Sequence, residues 1–223
     1  MPLSYPLSLA DFQDVITISE RGFSIRSPRK VDRTASGVPL TASLGEPVWR
    51  GSFSVPPTNN RSQAARIDTL LSVLDRAGST FLVYDPAKPY PAMDPDGSLS
   101  SATSPTIRFL DATDARLVGL EGIVSGGNGF QIKAGDYIGW TYTVNGDTRY
   151  ALHQAVEDAT PNGVGNTQLF EVTPFIQPGV VVGDPVTMVK PPMKAVLEPD
   201  PSYGTARAAV SAGPSFSFVQ SLR

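Results

Sequence analysis

Several short stretches carry residue types that do chemistry in other proteins. Ser27 and Lys30 in "SPRK" have the Ser-x-x-Lys spacing of some acyl-transfer enzymes. That chemistry needs the serine at the start of a helix, so that the lysine falls on the same face. Pro28 follows the serine directly and the flanking residues predict no helix. We therefore interpret the stretch as part of a solvated basic loop.

Two further stretches resemble parts of ion-binding or phosphate-binding loops. "DPDGSLS", Asp94 to Ser100, matches the first half of a calcium loop, but Pro105 stands where the closing acidic ligand belongs. "SGGNGF", Ser125 to Phe130, is rich in glycine, but no lysine follows and no helix begins there. Both stretches are predicted to be turns.

The one histidine and a group of aromatic residues lie close together in the sequence. His153 lies near Glu157 and Asp158, but no nucleophile stands in a recognisable motif, so a surface histidine is favoured over a general base. Trp140, Tyr142 and Tyr150 could form a platform for stacking sugar rings. They share a predicted face with apolar residues, namely Ile138 and Leu152, which favours packing in a core.

The composition excludes several classes of site. The chain of 223 residues has no cysteine and one histidine, so disulfides, thiolate ligands, cysteine nucleophiles and multi-histidine metal sites lack their residues. No apolar run is long enough to cross a bilayer, and the N-terminal stretch lacks the basic start and apolar core of a secretory signal. We expect a soluble protein made in a cytoplasm, with no catalytic site, cofactor, metal ion or membrane contact.

Most of the chain predicts short strands separated by glycine and proline. Residues 15–25 alternate with a break at Gly22, which predicts a strand with a bulge or turn, or a hairpin. The basic segment that follows predicts a loop. "STFLVYDP" predicts a buried strand from Phe81 to Tyr84 that ends at Asp85-Pro86. Further strands are predicted in "PVWRGSFSV", "TIRFL", "RLVGLEGI", "QLFEVTPFI", "TARAAV" and "SFSFVQSL".

One segment predicts a helix, over residues 61–77. Asn60 is the predicted N-cap with Gln63 as its capping-box partner, and Gly78 is the predicted left-handed stop. An apolar stripe at helical spacing consists of Ile67, Leu70, Leu71 and Leu74.

The stretch around "VNGD" predicts a hairpin with two alternative registers. A two-residue Asn-Gly turn pairs Tyr142 with Arg149, an aromatic residue with a charge. A three-residue turn instead pairs Trp140 with Tyr150 and Ile138 with Leu152. The second register keeps apolar residues together, so it is preferred.

Two broader features point to contacts outside the chain. Residues 85–105 contain five prolines and no apolar periodicity, and a loop this long is usually functional or reaches another chain. Residues 1–80 hold nine basic and seven acidic side chains, whereas residues 81–223 hold nine and fourteen. This weak asymmetry favours head-to-tail contacts between copies.

The order of these elements, together with the phrases "FLVYDP" and "AGDYIGW", resembles the distal tail proteins of long-tailed bacteriophages and of phage-like gene transfer agents. The resemblance implies a mainly β fold with one long α-helix: a ring-forming β-sandwich or split barrel, similar to a tail tube, with a small inserted β domain. It also implies that the Ile67–Leu74 stripe of the helix covers one face of the ring-forming sheet. Residues 1–85 and 176–223 would form the ring domain, and residues 86–175 the peripheral insertion.

The resemblance also implies a function and partners. The chain would be a non-enzymatic virion component of the tail, a homo-hexameric adaptor ring between the tail tube protein and the hub or tip protein, around a channel through which DNA passes. Candidate contacts between copies, or with the lumen, are Arg26, Arg29, Lys30, Arg33, Tyr90, Asp94 and Asp96. The alternative function is a carbohydrate-binding β-sandwich for attachment to a host surface.

Overall fold

The protein is mainly β. A computed structural model describes residues 3–124, 129–205 and 211–223, and the following elements belong to those ranges. The strands are β1 (Glu20–Arg26), β2 (Arg29–Arg33), β3 (Pro39–Ser43), β4 (Val48–Ser54), β5 (Phe81–Val83), β6 (Thr106–Leu110), β7 (Leu117–Glu121), β8 (Tyr137–Val144), β9 (Asp147–Ala155), β10 (Phe170–Thr173), β11 (Val186–Thr187), β12 (Met193–Leu197) and β13 (Ser215–Gln220). The helices are α1 (Arg61–Leu74) and the single turn α2 (Ser98–Ser101). The predicted class, mainly β with one long helix, is confirmed.

The first layer is a five-stranded antiparallel sheet in the order β1-β4-β13-β12-β5. Its inner face carries large aromatic side chains, including Trp49, Phe53, Phe81, Phe216 and Phe218. The apolar stripe of α1 is buried against this face, as predicted. Gly51 is required here because a Cβ at that position would lie 2.2 Å from the Phe218 ring.

Helix α1 begins where the sequence predicts and ends earlier. The Asn60 side chain accepts a hydrogen bond from the backbone of Gln63 at 3.2 Å, which confirms the N-cap. The Asn60 backbone donates to the Thr58 hydroxyl at 3.1 Å, so Thr58 takes the reciprocal role expected of Gln63. The helix stops at Leu74 instead of 77, and a turn leads to Gly78, whose φ of +86° is left-handed.

The second layer is a six-stranded sheet in the order β11-β8-β9-β10-β7-β6, curled into a nearly closed barrel. The two edge strands approach each other through a bridge between Thr106 and Pro185. The backbone of Ile107 donates to the Asp184 carbonyl at 3.0 Å, and Val186 donates to the Pro105 carbonyl at 2.8 Å. The barrel therefore leaves little free edge of its own.

The hairpin β8–β9 adopts the register that the sequence analysis did not prefer. Trp140 lies opposite Ala151, and Ile138 lies opposite His153. Asn145 and Gly146 form a two-residue turn with φ values of +55° and +87°. Such a turn matches the twist of paired strands, and it outweighs the apolar matching on which the preferred register depended. The preferred three-residue turn is wrong.

Two other local predictions differ from the structure. No bulge interrupts β1, because its pairing with β4 continues without a shift from Glu20 opposite Ser54 to Arg26 opposite Val48. The predicted basic loop contains β2, which pairs with β3. Residues 125–128 of "SGGNGF" and residues 206–210 of "TARAAV" lie outside the described residues, so the turn and the strand predicted there stay predictions.

The two layers pack on each other through β4 and the hairpin β8–β9. The Trp49 indole donates to the Leu152 carbonyl at 2.7 Å, and its ring meets Tyr137 edge-on at 5.4 Å. The chain leaves the barrel after Thr187 and rejoins the five-stranded sheet at Met193. The boundaries of 86–175 and 176–223 stay a prediction.

Candidate assembly surface

Strands β2 and β3 form an exposed hairpin, called the arm here (Arg29–Ser43). Val31 lies opposite Thr41, and Arg33 lies opposite Pro39. All ten residues of the two strands are exposed. The sequence folds into a hairpin at this place because its tip is held by local bonds.

Hydrogen bonds and one glycine shape the arm's tip. The Thr34 hydroxyl accepts from the backbone of Val38 at 3.1 Å and lies 2.8 Å from the Ser36 hydroxyl. Gly37 has a φ of +83°, which few other residues adopt without strain. The tip is therefore a defined turn with a fixed pairing on either side.

Large apolar side chains are concentrated on the arm and at its base. Val31, Val38, Leu40 and Leu44 are between 54 and 68% exposed. A two-stranded hairpin is at best marginally stable in water, and grouped exposed apolar side chains usually mark an interaction site. The arm is thus a candidate surface for contact with a partner.

The predicted basic contacts fall on the arm and on the adjacent strand. Lys30 pairs with Asp32 at 2.9 Å inside the arm. Arg29 and Arg33 form no ion pair with any described residue. Arg26 ends β1 and lies on the outer face of the five-stranded sheet. The structure therefore brings three of the four predicted cations together on one projecting element.

A groove of about 410 Å³ separates the base of the arm from the barrel. On the arm side it is lined by Ser27, Pro28, Arg29, Thr41, Ala42, Ser43, Gly45 and Pro47, and on the barrel side by Arg116, Glu171, Val172, Thr173, Pro174 and Phe175. Phe175 is 54% exposed. Both walls belong to the same chain, and the space between them is open to a ligand or partner.

The five-stranded sheet offers two further free surfaces. Among the described residues, β1 pairs only with β4, so its other edge has unpaired backbone groups. The face opposite the core is rich in small polar side chains, with Ser24, Ser52 and Ser217 around an Arg50–Glu198 pair at 3.4 Å. This face is therefore polar and hydrated, and it offers little apolar area for burial against a partner.

The acidic residues of the long loop have local roles. Asp94 is buried, and its carboxylate accepts from the backbones of Leu99 at 3.2 Å and Ser100 at 2.7 Å. A side chain this buried offers no surface to a neighbouring copy, which corrects the contact role predicted for Asp94. Asp96 is exposed and accepts from the Ser98 backbone at 3.1 Å, which lowers its pKa. The predicted turn is present at Asp94 to Gly97, whereas Ser98 to Ser100 belong to α2.

The rest of this loop lies on its own chain. Tyr90 packs over Gly97, where a Cβ would come within 2.5 Å of the ring. Asp136 accepts from the Ala92 backbone at 2.9 Å, and burial raises the pKa of its carboxyl. Lys190 donates from its backbone to the Pro89 carbonyl at 2.6 Å. Tyr90 is therefore half-buried, and Asp96 is the more exposed of the predicted contacts here.

His153 is buried inside the barrel, so the predicted surface position is wrong. Its ring stacks on Trp140 at 3.9 Å. Nδ1 lies 2.8 Å from the Pro174 carbonyl and must donate to it, because a carbonyl only accepts. Nε2 lies 3.2 Å from Oε1 of the Gln177 side chain. Burial lowers the pKa of His153 to about 4.

The remaining chemical candidates are structural. Trp140 and Tyr142 are buried, which confirms core packing and leaves no sugar platform at these residues. Within the described ranges, no three histidine, aspartate or glutamate side chains converge on a metal position. No helix in those ranges is long and apolar enough to span a membrane.

Sequence reasoning missed the groove. Its barrel wall includes Glu171 of β10, a strand whose neighbouring residues Phe170 and Val172 are buried, and Phe175, which follows the end of that strand. The alternation of "FEVTPF" carried this signal, but nothing in the sequence placed it beside the arm.

No protein-family model matches the chain, and no curated protein matches it.

Proposed function

We propose that this chain is a non-enzymatic structural subunit that assembles with copies of itself into a closed ring. By its resemblance to distal tail proteins, the ring would join a tail tube protein to a hub or tip protein in a phage-like virion tail and surround a channel for DNA. The number of copies that the resemblance implies is six.

The arm is the observation that carries this proposal. Its strands are exposed on both faces, and its apolar side chains have no cover within the described residues. An assembly protein gains from such an element an apolar surface that becomes buried only between subunits. The free edge of β1 adds a second surface for pairing between copies.

The mass of the purified protein tests the proposal. We expect native mass spectrometry to show a closed oligomer of six copies whose fraction rises with protein concentration. A variant with residues 29–43 replaced by a short glycine-serine linker should remain monomeric. Its circular dichroism spectrum should still be that of a folded, mainly β protein. A full-length chain that stays monomeric at every accessible concentration would overturn self-assembly.

The position in a virion needs its own experiment. We expect gold-labelled antibody against this chain to mark the end of the tail, at the junction with the tip, in particles from the producing cell. A tail role would be contradicted if the antibody labels the capsid or if the particles lack the chain. Self-assembly would then depend on the mass measurement alone.

A further inference from the structure

We propose that the groove between the arm and the barrel receives the tip of the arm of a second copy of this chain. This inference rests on the proposed self-assembly and names the surfaces that make it. It follows from the chemistry of the groove, from that of the tip, and from the positions of the two on one subunit.

The groove has the lining that an apolar tip needs. Phe175 stands exposed in one wall, and Pro28, Pro47 and Pro174 surround the space. Proline rings lack a backbone N–H, so this lining presents apolar surface with few donors left unpaired. Covering Phe175 would remove a large apolar ring from water.

The tip of the arm matches this lining. Val38 and Leu40 follow the turn on its C-terminal side and are each more than half exposed. Because successive residues of a strand point to opposite faces, Leu40 and Pro39 present apolar groups on the two sides of the tip. A groove with two walls can cover both sides, whereas a flat surface covers only one.

The charges are complementary as well. Arg116 is held by Asp114 at 2.6 Å and approaches Glu171 only to 3.5 Å, so Glu171 keeps room for a second cation. Arg33 lies next to the tip and has no acidic partner among the described residues. An Arg33–Glu171 pair between copies would satisfy both groups and orient the tip in the groove.

The arrangement on one subunit makes the contact head-to-tail. The tip lies at one end of the arm and the groove lies at its base, so a copy that gives its tip to one neighbour can still receive the tip of another. A contact between two different surfaces repeats from copy to copy, and it closes into a ring when the rotation between copies allows it.

Cysteine cross-linking tests this inference directly, because the natural chain has no cysteine. Single variants Leu40→Cys and Phe175→Cys are mixed, allowed to assemble and treated with a short bismaleimide. We expect covalent dimers that contain one chain of each kind, identified by a mass tag on one variant. The matched control pairs Leu40→Cys with Val164→Cys, an exposed position that does not line the groove, and it should give at least tenfold less dimer.

Charge reversal supplies a second measurement that does not depend on a linker. Arg33→Glu and Glu171→Arg should each lower the fraction of closed oligomer, and the double variant should recover most of it. Circular dichroism of each variant checks that the fold is retained, since both residues lie outside the two cores.

The outcomes separate this inference from the proposed function. Closed oligomers without the Leu40–Phe175 cross-link, or with full assembly in both charge variants, would overturn the arm-to-groove contact and leave the ring standing. A monomeric wild-type chain would overturn the proposed function. Cross-linked open chains without a closed ring would support the contact and contradict the ring.

Discussion

The molecule contains two hairpins that differ in opposite ways from an ordinary half-buried strand pair. The hairpin β8–β9 is covered on both sides, because Trp140 and His153 point into the barrel while Tyr137 and Leu152 point into the core of the five-stranded sheet. The arm has neither side covered. The first hairpin is therefore held by its own chain, and the second is completed only by another molecule.

The two hairpins also show why alternation alone misleads. Alternating patterns identify a strand when one face is wet and the other dry. In β9 both faces are buried, so apolar matching favoured a register shifted by one residue, and that shift placed His153 outside. In the arm both faces are wet, so the residues looked like a loop. Neither error concerns the half-buried strands, such as β4, which were predicted correctly.

The largest loss of stability should come from a substitution in the hairpin β8–β9, which is covered on both sides. Trp140→Ala removes a ring that is 1% exposed, and we expect the free energy of unfolding to fall by about 3–5 kcal/mol in urea titration. Val164→Ala, at an exposed position of the same barrel, should change it by less than about 0.5 kcal/mol. Equal effects at the two positions would contradict the assigned barrel interior.

The buried histidine should make stability depend on pH. The unfolded imidazole binds a proton below about pH 6.5, whereas the folded one does so only near pH 4. Between these values the unfolded chain binds more protons, so stability falls as the pH falls, by about 3 kcal/mol over the whole window.

His153→Gln should remove this contribution while keeping a donor for the Pro174 carbonyl. Unfolding measured at pH 7 and pH 4.5 should therefore show a smaller loss in the variant than in the wild type, although carboxylates titrate in both. An identical loss would mean that the histidine is not buried in its neutral form.

An intermediate loss of stability should come from Gly51, where the backbone of the five-stranded sheet lies close to Phe218. Gly51→Ala places a methyl group 2.2 Å from the Phe218 ring, and overpacking of this kind costs about 1–3 kcal/mol. Gly163→Ala adds the same group where nothing lies within 4 Å, so the midpoint of thermal unfolding should barely move. If Gly51→Ala unfolds at the same temperature as the wild type, the close packing of Phe218 against this glycine is contradicted.

The smallest change in the stability of the isolated subunit should come from a substitution in the arm. Leu40→Ala removes a side chain that touches little, so the unfolding free energy of the monomer should change by less than about 0.5 kcal/mol. The same change should lower the fraction of closed oligomer in native mass spectrometry. A loss of monomer stability as large as that of Trp140→Ala would show that the arm packs on its own chain.

Local signals were enough to predict much of the fold. The cap at Asn60, the apolar stripe of α1 and the strand β4 each depend on residues that are close in sequence. The candidate site depends on residues far apart: the groove joins the segment from Ser27 to Pro47 with the segment from Arg116 to Phe175. One sequence carries no signal for that proximity, so the cations of the arm were found and the groove was not.

The division of the chain's two tryptophans has a practical consequence for experiments. Trp49 lies in the core of the five-stranded sheet, where its indole N–H is bonded, and Trp140 lies in the barrel against an imidazole. Each layer thus carries its own natural fluorophore, in a different polar setting. Replacing either one by phenylalanine leaves a probe that reports the melting of a single layer, so intrinsic emission can reveal whether the two come apart together or in sequence.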